Sequence, residues 1–293
     1  RVYLICVPTP LDQHGQPDLT AVRAVAENIS PHLRRGDAVI LESTSYPGTT
    51  ENVVAVALEE SGLARTVDFS VAFSSERVNP GDTTHNYGNT PKVVGALTHY
   101  EGERVSNFYS LFCDSVVIAK GIKEAELSKL IENAYRLVNI SFINELFIVA
   151  RELNVDLRDS IRCAATKPFG FQAFWPSAGA GGHCIPVDPG YLKSWLIQAG
   201  VRESRILDEA MVVNEEMPKV VVARSLELLG GELQNSSVCL VGVAYKEGVA
   251  DLRNSPALKI ASDLARLGVR LSYVDPMVEN WHVSGVPIRR FVS

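Results

Sequence analysis

Short apolar runs alternate with amphipathic stretches over the first 120 residues. The runs are continuous, which is typical of strands that are buried on both faces of a parallel sheet. They are VYLICV (2–7), DAVILES (37–43), DFSVAF (68–73), KVVGA (92–96) and DSVVIA (114–119). Apolar residues at helical spacing fill the stretches at 17–33, at 53–58 and, more weakly, at about 98–112. This order of elements predicts an α/β domain with a parallel sheet.

The pattern changes between residues 121 and 230, where helical periodicity continues without a strand signal. Apolar residues recur every three or four positions from 124 to 154, which predicts one helix of unusual length. These residues are Leu127, Leu130, Ile131, Ala134, Val138, Phe142 and Leu146. A second long helix is predicted over roughly 204–229. Pro218 lies inside it and should kink or divide it.

Alternation of strands and helices returns at residue 236. Ser255 is a good N-cap, Pro256 suits the first helical position, and Gly268 can end the helix in a left-handed turn. The chain therefore divides into units at 1–120, 121–230 and 236–293. Because both ends fall inside an expected folding unit, we expect a fragment that lacks an N-terminal βαβ unit and the C-terminal end of its last domain.

Charge and composition narrow the class of protein. The net charge is -6 and the basic residues are scattered, which argues against a nucleic acid or an anionic membrane as partner. No apolar run reaches the roughly 18 residues that cross a bilayer, and no signal peptide is recognisable, so we expect a cytoplasmic protein. Five cysteines without paired spacing fit a reducing compartment. Four of them are interpreted as small buried apolar residues: Cys6, Cys113, Cys163 and Cys239.

Cys184 differs because it follows a glycine-rich stretch in SAGAGGHCIPVDP, 177–189. Small residues allow backbone N–H groups to approach a ligand closely, and Pro186 and Asp188 would fix the turn and place a carboxylate nearby. The alternative is a glycine turn that happens to contain a thiol. His183 is poorly placed to activate Cys184 for hydrolase chemistry if the turn is extended. Neither residue has a partner at metal-ligand spacing, so no metal site is predicted.

Two further sets of polar residues accompany this segment. Lys129 and Asn133 are four residues apart on the long helix and border its apolar stripe, where an ammonium and an amide could stabilise an oxyanion. Thr44 and Glu76 follow predicted strands, at the sheet edge where open α/β folds bind ligands. Each set also has an ordinary explanation, namely a solvated helix face for the first and turn residues for the second.

The segment AYKEGVADLRNSP, 244–256, connects a strand to the N-terminus of a helix. It carries Lys246, Asp251 and Arg253, a combination suited to phosphate, although a solvated loop is the alternative. No G-x-G-x-x-G follows any predicted strand. A pyrophosphate site of that type would therefore lie upstream of residue 1.

Seven segments, in this order, together resemble the UDP-glucose/GDP-mannose dehydrogenase family. They are VPTPLD, ESTSYPGTT, SSERVNPG, EAELSKLIENAYRLVNISFINEL, KPFGF, GGHCIPVDP and AYKEGVADLRNSP. The resemblance implies an α/β protein with two Rossmann-like parallel-sheet domains, one for NAD and one for UDP. A central helical domain would join them and pair subunits into a homodimer or higher homo-oligomer.

The implied reaction is the oxidation of a UDP-sugar C6 alcohol to a carboxylate with NAD, through a covalent intermediate on Cys184. The resemblance implies catalytic roles for Lys129, Asn133, Asp188, Thr44 and Glu76, with the last two holding a water molecule. It further implies cofactor contacts from Thr9, Thr44 and Arg253. Substrate contacts would come from Lys129, Asn133, Gly181 and Lys246.

Several positions depart from the family pattern without removing a catalytic group: Ser75, Ser177, Gly190 and Gly248. Gly190 stands where an aromatic residue is frequent, and it is expected to loosen the pocket wall.

TKPFGF and GGHCIPVDP most resemble members that oxidise UDP-N-acetylhexosamines, UDP-N-acetylglucosamine above all. PSAG is closer to UDP-glucose members. A relative that binds a nucleotide sugar without turning it over remains the alternative of another class.

Overall fold

The computed structural model describes residues 1–79, 81–201, 204–230 and 236–291. The chain forms two compact units, residues 1–133 with 187–203 and residues 134–186 with 204–293. Two helices pass from one unit into the other, α4 at Ile122–Glu152 and α6 at Cys184–Gln198. Each unit is therefore assembled from segments that are distant in sequence.

The first unit contains a five-stranded sheet in the order β1-β2-β3-β4-β5. Its strands are β1 Val2–Ile5, β2 Ala38–Leu41, β3 Ser70–Phe73, β4 Lys92–Ala96 and β5 Val116–Ile118. All five lie within the apolar runs from which they were predicted. β1, β2 and β3 are parallel, and so are β4 and β5.

β3 and β4 pair antiparallel, which the apolar runs did not indicate. The segment that joins them has no helix among its described residues, whereas a parallel connection needs a crossover of a dozen or more residues, usually a helix. A continuous apolar run indicates burial on both faces but carries no information on strand direction.

Helices cover this sheet at the places where the sequence predicted them. They are α1 Thr20–Ile29, α2 Ala55–Glu59 and α3 His99–Tyr109, with 3-10 residues Ser30–His32 after α1 and π-helical residues Thr50–Val54 before α2. Thr98 and Glu101 form a reciprocal capping box at the start of α3. Every residue of β2 and β3 is buried, as expected for central strands of a covered sheet.

The second unit combines helices with a small sheet. Its other elements are α5 Leu157–Ala165, α7 Arg205–Leu228, β6 Ser237–Val241, α8 Pro256–Arg266, β7 Arg270–Val274, β8 His282–Val283, β9 Val286–Pro287 and β10 Arg289–Arg290. The strands β10, β7 and β6 form a parallel sheet, and β8 and β9 form an antiparallel pair. The renewed α/β alternation is thus confirmed.

The caps of α8 are those that the sequence predicted. The Ser255 hydroxyl accepts a hydrogen bond from the Ala257 amide, Pro256 is the first helical residue, and Gly268 has a left-handed φ of 84°. The long helix predicted over roughly 204–229 is α7, and Pro218 does not divide it. Pro218 is buried, so tertiary packing can retain the helix across it.

The interpretation of four cysteines as buried was wrong for three of them. Cys113 is buried, but Cys6, Cys163 and Cys239 are exposed. Cys6 follows the outer strand β1, Cys239 lies in the outer strand β6 and Cys163 lies on α5, so position in or beside an apolar run did not determine burial. Within the described ranges, no helix is both long and apolar enough to cross a membrane.

Candidate active site

Three of the predicted site residues lie at one edge of the first unit's sheet. Because β1, β2 and β3 are parallel, their carboxyl ends share that edge. Thr9 follows β1, Thr44 follows β2 and Glu76 follows β3. Thr9 is buried, Thr44 is half-buried and Glu76 is exposed.

Hydrogen bonds hold these strand ends in place. The Ser43 hydroxyl donates to the carbonyl of Val7 at 2.6 Å, which ties the end of β2 to the end of β1. The Glu76 carboxylate accepts a hydrogen bond from the Val78 amide and so stabilises its own turn. The buried Ser45 Oγ has no protein partner among the described residues. An unpartnered hydroxyl at this edge is available to a ligand.

A buried ion pair supports the same edge. The Lys92 Nζ lies 3.0 Å from the Glu42 carboxylate and donates to the carbonyl of Ser75, the residue before Glu76, at 3.2 Å. The Tyr109 hydroxyl donates to Glu42 as well. Removal of either charge would leave its partner buried and unpaired, at a large cost in free energy. The pair therefore holds Lys92 in place, and Lys92 in turn holds the loop after β3.

The structure brings Asn133 and Asp188 into direct contact. The Asn133 Nδ2 donates a hydrogen bond of 2.5 Å to Asp188 Oδ2, which joins α4 to α6. Asp188 is only 3% exposed. Burial raises the pKa of its carboxyl to about 6, although the hydrogen bond from Asn133 and the charge of Lys129 act in the opposite direction. Lys129 is half-buried one turn before Asn133.

Sequence reasoning missed Glu126, which is fully buried on the same face of α4. Its carboxylate accepts hydrogen bonds from the amides of Gly48 and Thr50 and from the Thr50 hydroxyl. The spacing of Glu126, Lys129 and Asn133, three and four residues apart, was a usable signal. The apolar stripe was also narrower than predicted, because Ile131 and Phe142 are more than half exposed.

Cys184 is exposed and is the first residue of α6, so the expectation of a turn at this position was wrong. The positive end of a helix dipole favours a negatively charged sulfur. Cys184 also interacts electrostatically with Arg253, whose pKa is raised mainly by its hydrogen bonds to Asp251 and further by this thiol. Exposure does not distinguish Cys184 from three of the other cysteines, but its position at a helix start does.

The glycines before Cys184 have a role within the protein that the sequence interpretation did not include. A Cβ on Gly181 would lie 2.8 Å from the Asn254 carbonyl oxygen, and a Cβ on Gly182 would lie 2.8 Å from the Tyr245 ring. The Gly182 amide donates to the Arg253 carbonyl at 3.0 Å. These glycines therefore allow the cysteine segment to pack closely against the loop at 244–256.

Two asparagines that the sequence did not single out hold the same segment. The Asn214 side chain, on α7, accepts from the Ala180 amide at 2.6 Å and donates to the Ala180 carbonyl at 3.2 Å. The Asn144 Oδ1, on α4, accepts from the Ser177 amide at 2.8 Å. Both side-chain amides thus satisfy backbone N–H groups of this loop.

The predicted phosphate loop lies between β6 and α8, as expected. Lys246 is half-buried. The Arg253 guanidinium is held by Asp251 through three hydrogen bonds of 2.6 to 3.0 Å, so it enters any ligand contact as part of an ion pair. The half-buried His183 has its pKa lowered, mainly by burial and also by Arg253, which favours a neutral imidazole at neutral pH.

Gly190 does not loosen its surroundings, contrary to expectation. It is buried, and a Cβ there would lie 2.8 Å from Leu11 Cδ1. Tyr191, the next residue, donates to the carbonyl of Pro10 at 3.4 Å. Leu11 thus fills the space beside Gly190, and the loop after β1 packs directly on α6. No cluster of three metal-binding side chains occurs within the residues that the structure describes.

Comparison with protein-family models finds three matches along the chain, all of the UDP-glucose/GDP-mannose dehydrogenase family. Residues 1–113 match its NAD binding domain, residues 123–216 its central domain and residues 239–290 its UDP binding domain. The chain is 37% identical, over 95% of its length, to a UDP-N-acetyl-D-glucosamine 6-dehydrogenase of Pseudomonas aeruginosa, of which it covers 66%. It spans about two thirds of the length of the curated relatives that it matches.

Comparison with solved structures also finds UDP-sugar dehydrogenases. A UDP-D-ManNAc dehydrogenase from Pyrococcus horikoshii matches with a TM-score of 0.87 at 33% identity, over 97% of this chain and 67% of that one. A UDP-glucose dehydrogenase from Pyrobaculum islandicum matches with a TM-score of 0.85 at 31% identity, over 94% of this chain and 64% of that one.

Proposed function

Because the chain belongs to the UDP-glucose/GDP-mannose dehydrogenase family, we propose that it carries out the NAD-dependent oxidation of a UDP-sugar C6 alcohol to a carboxylate. The observation that carries the proposal is the contact between Asn133 and Asp188, with Lys129 one turn away. A buried carboxylate, an amide and an ammonium are the groups that can move a proton and stabilise an oxyanion.

The residues at the strand edge fit a nicotinamide cofactor. Thr9 and Thr44 would contact it, and the unpartnered Ser45 hydroxyl indicates an incomplete hydrogen-bonding site there. NAD, when bound, accepts hydride from the sugar carbon, and two NAD molecules together take up the four electrons released between the alcohol and the carboxylate. Arg253 of the second unit is a further proposed contact for the cofactor.

Cys184 has the chemical role of retaining the sugar between the two oxidations. Its thiolate would add to the aldehyde carbon, forming a C–S bond and an oxyanion that Lys129 and Asn133 stabilise. Once the adduct is oxidised to a thioester, water cleaves the C–S bond and releases the carboxylate with the thiolate as leaving group. Thr44 and Glu76 are proposed to hold that water.

Asp188 is the proposed general base for the water. It lies one helical turn after Cys184 on α6. Because the pKa of Asp188 is about 6, the carboxyl is mostly ionised at neutral pH yet remains close enough in pKa to accept a proton. The rate should therefore rise with pH through this value.

The substrate is proposed to be a UDP-N-acetylhexosamine, UDP-N-acetylglucosamine above all. Two curated relatives that are 35% and 37% identical act on UDP-N-acetyl-D-glucosamine by name. UDP-glucose is the second candidate, supported by the structural similarity to the Pyrobaculum enzyme. Gly181 and Lys246 are the proposed substrate contacts in the second unit.

Self-association is proposed to involve α4. Several of its apolar side chains are substantially exposed, and in the second unit these are Tyr135, Phe142, Phe147 and Val149. An exposed apolar surface of this kind is typical of an interface between subunits.

The substitution Cys184→Ser tests the proposed function. With UDP-N-acetylglucosamine and NAD, formation of the uronic acid should fall by about a thousandfold or more, while binding of the UDP-sugar measured by calorimetry persists. Cys163→Ser is the matched control, because Cys163 is also exposed but lies on α5. Undiminished acid production by Cys184→Ser would refute the assignment.

A further inference from the structure

Glu126 is a fully buried carboxylate that the proposed reaction does not use. Two of its three hydrogen-bond donors are backbone amides, Gly48 at 2.6 Å and Thr50 at 2.9 Å, and the third is the Thr50 hydroxyl at 2.7 Å. Gly48 lies in the loop that follows β2, and Thr50 is the first of the π-helical residues Thr50–Val54 into which this loop leads. The loop also carries Thr44.

The same carboxylate lies on α4 three residues before Lys129 and seven before Asn133. These spacings place the three side chains on one face of the helix. Asn133 joins this face to Asp188, and Glu126 joins it to the loop after β2. Lys129 thus lies on α4 between two residues whose side chains are hydrogen-bonded to other segments.

From these contacts we propose that Glu126 is a positioning residue. It fixes the loop that carries Thr44 against α4, about one turn before Lys129. The proposal rests on the function proposed above. Glu126 does not touch the reacting groups, because its side chain is fully buried and three hydrogen bonds occupy its oxygens. It acts through the geometry of Thr44 and Lys129.

A carboxylate suits this role better than a neutral side chain. All three partners are donors, and an ionised carboxylate accepts from each of them without offering a proton. A glutamine places its NH₂ group towards at least one of these donors, whereas a protonated Glu126 can keep all three contacts only if the Thr50 hydroxyl turns to accept its proton. The loop should be held most tightly when Glu126 is ionised, because hydrogen bonds to a charged acceptor are shorter and stronger.

The electrostatic surroundings make this state dependent on pH. Burial raises the pKa of Glu126 to about 7, against the effect of its hydrogen bonds, and the negative charge of Glu51 raises it further. Lys123 pairs with Glu51 at 3.3 Å, and Lys129 lies about one turn after Glu126 on α4. Ionised Glu126 is thus opposed by burial at neutral pH.

This opposition separates a positioning role from a purely structural one. Because its folded pKa is raised, Glu126 contributes stability below the unfolded value of 4.5, and that stability is lost as the pH rises through about 7. Relative to Glu126→Gln, the wild type should lose stability over this range. If Glu126 had a purely structural role, turnover would follow stability and fall as the pH rises through about 7, rather than increase.

The experiment compares wild type with Glu126→Gln from about pH 5 to about pH 9. The amide resonances of Gly48 and Thr50 are followed by NMR, and turnover of UDP-N-acetylglucosamine with NAD is measured in parallel. In the wild type the resonances should titrate near pH 7, and in the variant they should not. The wild-type kcat should exceed that of the variant by roughly ten- to a hundredfold above pH 8, with convergence below pH 6 and little change in KM.

Two further variants complete the design. Glu124→Gln removes an exposed carboxylate from the same helix and should match the wild type in both measurements. Thr50→Val removes one of the three donors with little change of volume, and should raise the pH of the amide titration and give a smaller loss of kcat.

A folded Glu126→Gln variant that keeps the wild-type kcat at high pH would overturn the proposal. So would Gly48 and Thr50 resonances that titrate equally in both proteins. If the wild type turns over no UDP-sugar, the proposed function fails instead, and the amide titration still shows whether Glu126 fixes the loop.

Discussion

Replacement of Asp188 by asparagine should change how the stability of the protein depends on pH. Asp188 is 3% exposed and accepts a hydrogen bond from Asn133 Nδ2. An asparagine has nearly the same volume, and its carbonyl oxygen can accept the same hydrogen bond. The substitution therefore removes the titration of this site while retaining its packing.

The magnitude follows from the pKa of Asp188, which is raised from 3.8 to about 6. Since each pKa unit is worth 1.36 kcal/mol, the wild type should lose roughly 3 kcal/mol of unfolding free energy as the pH rises through this window. The sign follows from the direction, because the unfolded chain releases this proton at a lower pH than the folded protein. The Asp188→Asn variant has no proton to release at this position, so its unfolding free energy lacks this pH-dependent contribution.

The free energy of unfolding of both proteins is measured by urea denaturation, followed by circular dichroism, between about pH 4 and about pH 7. The wild type should be more stable relative to Asp188→Asn at the acid end and lose most of that advantage at neutral pH. Asp114→Asn serves as the control, because Asp114 is exposed in the same unit. A difference that is constant over this range, or one that grows with pH, would refute the reasoning.

Two further substitutions test the glycine segment and the exposed face of α4. Gly182→Ala should destabilise the protein by more than the roughly 1 kcal/mol expected for Gly248→Ala, since both have a left-handed φ but only Gly182 has the Tyr245 ring at 2.8 Å; equal melting temperatures of the two variants would contradict this. If α4 forms the proposed interface, Phe142→Asp should lower the mass measured by light scattering, whereas Val212→Asp, at a similarly exposed site on α7, should not. An unchanged mass for Phe142→Asp would contradict the proposal that this part of α4 pairs subunits.

Much of the fold could be predicted from local pattern. The apolar runs located the strands of the first sheet, the period of the long helix matched Ile122–Glu152, and the caps at Ser255 and Gly268 matched α8. These features depend on residues that are close in sequence, so a window of a dozen residues contains their cause. The direction of β4 cannot be predicted from such a window, because strand pairing joins segments that are distant in sequence.

The site was predictable only in part, for the same reason. Lys129, Asn133 and Asp188 were predicted from motif and spacing, but the burial of Asp188 and its contact with Asn133 are properties of how α4 and α6 pack. Glu126 was overlooked because a glutamate on a helix is usually solvated, and only its three donors from a loop far away in sequence make it a buried anchor.

The sequence by itself determined the α/β class, the long helix, the family and a cysteine at the end of a glycine segment. The tertiary structure decided what that segment does, since Gly181 and Gly182 pack against the loop at 244–256 and Cys184 starts a helix. The physical reason is that periodicity and capping act between near neighbours, whereas burial, pKa and close packing depend on atoms that only the folded chain brings together.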